Sequence, residues 1–152
     1  MPDASVLRTL SITNETSQLR EVRAFVAEVI RSGGIPGTME NGILLAVDEA
    51  VTNIITHAYA EGRRDTIEIE IRIDAASFRV VIRDSGLSFD PSEVSEPDIE
   101  RSLATSQRHG LGIFLMRRFM DEVEYLFHEG IRNELRMVKY LGALRLPRDP
   151  GN

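Results

Sequence analysis

Strict alternation of isoleucine with charged residues at 67–73 constrains the fold of this chain more than any other feature. Ile67, Ile69, Ile71 and Ile73 alternate with two glutamates and one arginine. Successive side chains of a β-strand point to opposite faces, so the pattern predicts a strand with one buried and one solvated face. The chain is therefore expected to build a sheet that is covered on one side only.

Five strands and three helices are predicted from the spacing of apolar residues and from turn residues. In chain order they are a strand at 6–12, helices at 19–30 and 38–58, strands at 67–73 and 78–83, a helix at 110–120, and strands at 123–127 and 134–141. Thr38 is the expected cap of the second helix. The order β-α-α-β-β-loop-α-β-β predicts an α/β fold, an α+β two-layer sandwich with helices on one face of a single sheet.

A stretch without periodicity, residues 87–109, separates the strand at 78–83 from the third helix. Connections of this length are commonly lids or binding loops. We expect residues 1–146 to form a single domain with this stretch as its lid, and residues 147–152 to form a flexible tail.

The composition excludes several classes of function. The chain has 152 residues and a net charge of −6, with no basic run that would favour nucleic acid. It has no cysteine, which excludes disulfides and thiolate metal sites and favours a cytoplasmic protein. No stretch approaches the ~20 apolar residues of a membrane span. Lys139 is the only lysine, so the P-loop signature Gly-x-x-x-x-Gly-Lys is absent.

Glu49 and Asn53 lie four residues apart in the predicted second helix. At that spacing the two side chains are roughly 40° apart around the helix, so they can converge on one ligand. In projection Asn53 borders the apolar stripe and Glu49 lies just outside it. A carboxylate accepts a proton or orients a hydroxyl, and an amide oxygen suits Mg²⁺. An ordinary helix with a polar flank explains the same two residues.

Asp84 follows the strand at 78–83 and precedes Ser85 and Gly86, where the chain must turn. Aspartate is common in turns, which is the structural explanation. The functional explanation is nucleobase recognition. A carboxylate accepts but does not donate, so it pairs with the exocyclic amine of adenine and rejects the guanine carbonyl. Gly86 would let the backbone approach the ring closely.

Gly110 and Gly112 begin the predicted third helix directly after the long connection. Free backbone amides and the dipole of a helix N-terminus form an anion site. Arg108 and His109 precede the helix and would add positive charge. The alternative is that the two glycines only end a loop.

Two other kinds of site have little support in the sequence. The three histidines show no metal-binding spacing, so no structural metal is predicted. The hydroxyl residues between 88 and 106 lack a nearby histidine–acid pair, which argues against a hydrolase triad.

Taken in order, these segments resemble the GHKL ATPases, the superfamily of gyrase, heat-shock chaperones, histidine kinases and mismatch-repair proteins. The resemblance is strongest to the anti-sigma factor serine/threonine kinases. The stretch at 48–59, DEAVTNIITHAY, is similar to their N box, and those at 84–91, DSGLSFDP, and 109–125, HGLGIFLMRRFMDEVEY, to their two glycine boxes. NELRMVKYL at 133–141 is similar to their last strand. The resemblance implies a Bergerat-type ATP-binding fold, a mixed, mostly antiparallel sheet with helices on one face.

The resemblance also implies a role for each candidate residue. Glu49 would be the catalytic base, Asn53 the Mg²⁺ ligand and Asp84 the adenine anchor. The other nucleotide-binding residues would be Gly86, Arg108, His109, Gly110, Leu111 and Gly112. Asn133 stands where a threonine often contributes to the ATP pocket and is the expected replacement for its hydrogen bond, and Ser88 replaces a further glycine.

Members of that family phosphorylate a serine or threonine of a STAS-type antagonist and bind a sigma factor, usually as dimers. The resemblance therefore implies a Mg²⁺-ATP-dependent protein serine/threonine kinase that acts as an anti-sigma-factor-type switch and is a homodimer. From the net charge and the lack of a long apolar stretch we expect no direct contact with nucleic acid and none with a membrane. A non-catalytic GHKL module that binds nucleotide or a partner is the alternative. A detached histidine-kinase catalytic domain would need a phosphoacceptor histidine on a dimerisation helix, which the sequence pattern does not provide.

Overall fold

The computed structural model describes residues 5–57, 63–86, 111–128 and 132–141. These residues form five strands and three α-helices, with a short 3-10 turn before the first helix. The elements are β1 (Val6–Thr13), the 3-10 turn (Thr16–Gln18), α1 (Leu19–Ser32), α2 (Gly37–His57), β2 (Thr66–Ile73), β3 (Ser77–Asp84), α3 (Leu111–Phe119), β4 (Glu122–His128) and β5 (Arg132–Tyr140).

The strands form one sheet in the order β1-β2-β3-β5-β4. Each of these four neighbouring pairs is antiparallel, and β5 lies between β3 and the edge strand β4. The predicted two-layer α/β sandwich with a mostly antiparallel sheet is confirmed.

The alternation in β2 produces the buried face of this sheet. All four of its isoleucines are buried, and in register with them on β3 lie Phe78, Val80 and Ile82, which are also buried. Met137 and Leu135 continue the same face on β5, opposite Val80 and Ile82. A continuous apolar surface of this width is stable in water only when another layer covers it.

The helices supply that layer. Helix α2 contacts both α1 and α3 as well as β3, so it is the central helix of the layer. Its buried residues include Ile43, Ala46, Val47, Ala50 and Val51. Gly42 allows α3 to approach, because a Cβ atom at this position would lie 2.9 Å from the Phe119 Cδ1 atom.

The opposite face of the sheet is charged, and none of the described helices covers it. Arg83, at its centre on β3, forms ion pairs with Glu68 at 3.0 Å on β2 and with Glu134 at 3.2 Å on β5. These pairs cross-link the three central strands on the side away from the helices. None of the described helices is both long and apolar enough to cross a lipid bilayer.

The second helix begins earlier than its sequence pattern suggests. It starts at Gly37, so Thr38 lies inside the first turn rather than at the cap. The amide of Met39 donates to the Pro36 carbonyl at 2.9 Å, which closes this first turn through the backbone. The expected cap at Thr38 is therefore wrong.

Candidate functional site

Asp84 is the last residue of β3 and projects from the helix-covered face of the sheet. The period-two pattern of the strand sets this direction, because Phe78, Val80 and Ile82 precede Asp84 on the same face. Asn133 lies directly opposite Asp84 on β5. The side chains are 2% and 3% exposed respectively, so a carboxylate and an amide face one another at the end of the apolar core.

Three hydrogen bonds join these two residues to the turn that follows β3. The Gly86 amide donates to Asp84 Oδ1 at 2.9 Å. Asn133 Nδ2 donates to the same Oδ1 atom at 3.2 Å and to the Gly86 carbonyl at 3.0 Å. The structure therefore brings together three of the predicted site residues, Asp84, Gly86 and Asn133.

The second carboxylate oxygen of Asp84 has a different environment. Oδ2 is buried, and no described residue donates a hydrogen bond to it. Burial raises the pKa of Asp84, and the hydrogen bonds from Gly86 and Asn133 oppose that rise only in part. A buried acceptor without a donor costs stability. This atom is therefore suited to a ligand that supplies an N–H or O–H group.

Glu49 and Asn53 lie on α2, which packs against β3. Glu49 is 4% exposed, whereas Asn53 is only partly buried. Projection predicted that Asn53 would be the more buried of the two and that Glu49 would lie outside the apolar stripe. That prediction is wrong, because Glu49 is the more buried residue. The projection considered one covered side, but α2 contacts α1 and α3 as well as the sheet, so its buried arc is wider.

Further polar contacts lie at the same end of the sheet and were not anticipated. Arg63 Nη2 donates to the Ser85 carbonyl at 3.3 Å, next to Asp84. The side chain of Asn14 accepts from the Asp65 amide at 2.9 Å and donates to the Arg63 carbonyl at 2.7 Å. These residues lie in connections between elements, where no periodicity marks a position.

Leu111 and Gly112 form the start of α3. The first amides of an α-helix have no acceptor within the helix, which suits an anion. Arg108, His109 and Gly110 lie outside the described residues, as do the expected lid at 87–109 and the expected tail at 147–152. Their predicted roles remain predictions.

No cluster of three or more histidine, cysteine, aspartate or glutamate side chains suited to a metal occurs in the ranges that the structure describes. Mg²⁺ usually keeps several waters and takes further ligands from nucleotide phosphates, so one or two protein oxygens suffice. The amide oxygen of Asn53 fits that requirement. Asn53 remains a predicted Mg²⁺ ligand.

A cavity of about 910 Å³ lies elsewhere, on the uncovered face of the sheet. Charged side chains on that face, including Glu70, Arg79 and Arg136, line it. Asp84 and Asn133 point to the other side of the same sheet. The cavity is therefore separate from the candidate site.

Comparison with known proteins places this geometry in context. A family model described as the histidine kinase-like ATPase domain matches residues 12–139. The anti-sigma F factor of Bacillus thuringiensis (strain Al Hakam) is 31% identical over 137 residues, which cover 84% of this chain and 85% of that protein. The anti-sigma F factor of Bacillus mycoides (strain KBAB4) shows the same identity and coverage.

Two solved structures share the fold. The RsbU and RsbW domains of Rv1364c from Mycobacterium tuberculosis match with a TM-score of 0.61 at 18% identity, covering 88% of this chain but 32% of that longer chain. The SiaB-SiaC complex from Pseudomonas aeruginosa matches with a TM-score of 0.61 at 16% identity, covering 85% of this chain and 88% of the other.

Proposed function

The chain belongs to the family of histidine kinase-like ATPase domains, and from this membership we propose that it is a Mg²⁺-ATP-dependent protein serine/threonine kinase. In this proposal Asp84 anchors the adenine ring and Glu49 accepts the proton of the substrate hydroxyl. The protein acts as a regulatory switch of the anti-sigma-factor type.

The observation that carries the proposal is the arrangement around Asp84. One carboxylate oxygen is held by two donors, and the other is buried without a donor among the described residues. The exocyclic amine of adenine supplies the missing donor. Guanine presents a carbonyl oxygen at the same edge, which an ionised carboxylate repels.

The chemical step requires few protein groups. The substrate oxygen forms a bond to the γ-phosphorus of ATP, the bond from that phosphorus to the β–γ bridging oxygen breaks, and ADP leaves. Glu49 takes the proton of the hydroxyl, and its burial on α2 limits competition from water. Mg²⁺, bound through Asn53, would neutralise charge on the phosphates. The backbone of Leu111 and Gly112 would bind phosphate oxygens, together with Arg108, His109 and Gly110.

The proposed partners follow from the relatives. Two of them are named anti-sigma F factors, and one structural neighbour is a SiaB-SiaC complex. We therefore propose that this protein phosphorylates a STAS-type antagonist and sequesters a sigma factor or a similar signalling protein. We further propose that it works as a cytoplasmic homodimer that contacts neither nucleic acid nor membrane directly.

Transfer of labelled γ-phosphate from ATP tests the kinase proposal. The substrate is the protein retained when this chain is purified from its native host. Glu49→Gln should keep ATP affinity and lose about 10²-fold or more in the rate of transfer, since a general base contributes on that scale. Asp48→Asn is the matched control. Asp48 neighbours Glu49 in the chain but pairs with Arg23 on α1, at 2.7 Å.

The possible results separate the two functions that the sequence leaves open. Transfer that is lost in Glu49→Gln and kept in Asp48→Asn supports the kinase. Normal transfer by Glu49→Gln would remove Glu49 from the mechanism. ATP binding by the wild-type protein without transfer to any retained protein would favour the non-catalytic module.

A further inference from the structure

Asn133 contacts both Asp84, the residue proposed to bind the nucleobase, and the turn at Gly86 that follows it. Its side-chain nitrogen faces two oxygens, Asp84 Oδ1 and the Gly86 carbonyl. Both are acceptors when Asp84 is ionised, so the orientation of the Asn133 amide is fixed by chemistry. Its two N–H groups serve one acceptor each.

From this geometry we infer that Asn133 is a positioning residue that sets nucleobase selectivity by holding Asp84 as an ionised acceptor with only Oδ2 available to the base. The inference rests on the proposed adenine site and deepens it. Asn133 does not itself need to touch the nucleotide. It acts through Asp84 and through the turn at Gly86.

The selectivity follows from proton placement. The hydrogen bond from Asn133 to Oδ1 is stronger when Asp84 carries a negative charge, so Asn133 favours the carboxylate over the carboxylic acid. A carboxylate accepts from the 6-amino group of adenine. A carboxylic acid can donate to the 6-carbonyl of a 6-oxopurine. Loss of Asn133 would therefore weaken the distinction between the two ring types.

The other charged groups near Asp84 do not replace this effect. Asp65 raises the pKa of Asp84 by repulsion, in the same direction as burial. Arg63 donates to the Ser85 carbonyl and forms an ion pair with Asp65 at 3.4 Å. Glu49 is an acidic residue of α2, the helix packed on β3, and cannot donate to a carboxylate when it is ionised. The hydrogen bonds to the Asp84 carboxylate come instead from the Gly86 amide and the Asn133 side chain.

The test is the ratio of affinities for ATP and inosine triphosphate, measured by calorimetric titration at pH values from 5.5 to 8, roughly the range in which His and perturbed carboxylates titrate. The wild-type protein should prefer ATP by about 100-fold or more at neutral pH. Asn133→Ala should weaken ATP binding about tenfold and lower the ratio, with the loss extending to higher pH than in the wild type. A merely structural role for Asn133 would weaken both nucleotides alike and leave the ratio unchanged.

Two further variants complete the test. Asn133→Thr retains one hydroxyl donor for Oδ1 and should restore the ratio even where affinity is reduced, which keeps the test valid if Asn133→Ala does not fold. Arg136→Gln changes an exposed residue on the other face of the same strand. It should alter neither the ATP affinity nor the ratio of affinities for ATP and inosine triphosphate. An unchanged ratio in Asn133→Ala, or a ratio in Asn133→Thr as low as in Asn133→Ala, overturns the inference. Failure of the wild-type protein to bind ATP would instead overturn the proposed function.

Discussion

Arg83 and Glu134 lie directly opposite one another on β3 and β5, and their side chains form an ion pair of 3.2 Å on the uncovered face of the sheet. One residue further along the same two strands, Asp84 and Asn133 meet on the helix-covered face. The period of two thus places a structural ion pair and the candidate site back to back. Substitutions on the two faces should therefore separate stability from ligand binding.

Glu134→Gln should lower the free energy of unfolding by about 1 kcal/mol at neutral pH, because the pair is only partly exposed. Burial would raise the pKa of Glu134, but hydrogen bonds from Arg136 and Arg83 outweigh it, and the pKa lies below its usual value. The stabilisation is therefore present above the unfolded-state pKa and is lost as the pH falls through the folded-state pKa.

Urea denaturation of the wild type and Glu134→Gln across the acid range measures this difference. The gap between the two proteins should close at low pH. Glu40→Gln is the control. It removes an ion pair with Arg31 that is more exposed than the pair of Arg83 and Glu134, so it should lower the free energy of unfolding by less. A gap that stays constant down to pH values below the usual range for glutamate would show that the ion pair is not its source.

Asp84→Asn should leave the fold at least as stable as the wild type at neutral pH. The pKa of Asp84 is raised by burial, so the folded state holds its proton to higher pH than the unfolded state. The contribution of Asp84 to stability therefore falls as the pH rises from the unfolded-state pKa through the raised folded-state pKa. The side-chain amide in Asp84→Asn does not titrate in this range, so the variant lacks this pH-dependent contribution to stability.

Thermal unfolding of both proteins as a function of pH checks this prediction. The melting temperature of Asp84→Asn should rise relative to that of the wild type as the pH increases from the unfolded-state pKa of Asp84 to its folded-state pKa. A variant that is less stable than the wild type at every pH would mean that the ionised carboxylate stabilises the fold.

Gly42→Ala should destabilise the contact between α2 and α3. The new Cβ atom would lie 2.9 Å from Cδ1 and 3.2 Å from Cγ of Phe119, so the ring and the end of α3 must shift. The cost of such overpacking is about 1–3 kcal/mol, which exceeds the gain of about 1 kcal/mol in helix propensity. Because α3 begins with Leu111 and Gly112, nucleotide affinity should fall as well.

Gly37→Ala is the matched control for Gly42→Ala. It adds the same methyl group to the same helix, where nothing described lies within 4 Å of the new atom. Chemical denaturation and ATP titration of the two variants should show losses only for Gly42→Ala. Equal effects of the two substitutions would exclude the contact with Phe119 as the cause.

Strands β2 and β3 were predictable because each has one apolar face. The isoleucines of β2 and the short run before Asp84 define their strands from residue types alone, and the position of Asp84 at the end of β3 follows. The pairing of Asp84 with Asn133 depends on the register between β3 and β5, which no local pattern specifies. The resemblance to a known family singled out Asn133, whereas its two hydrogen bonds required the fold.

The burial of Glu49 was less predictable. A helical projection assumes one covered side, whereas α2 is covered by two helices and the sheet. The contacts of Arg63 and Asn14 were not predictable either, since both depend on connections that converge only after β1, β2 and β3 have paired.

Calorimetric titration of ATP into the wild-type protein and Asp84→Asn, with Mg²⁺ present, tests the central claim most directly. The account predicts a single site per chain in the wild type and a loss of ATP affinity of about 100-fold or more in the variant. The side-chain N–H groups introduced at position 84 would then face the N–H groups of the adenine amine, with no acceptor between them. Equal affinity of the two proteins for ATP would contradict the claim that the buried oxygen of Asp84 recognises the base.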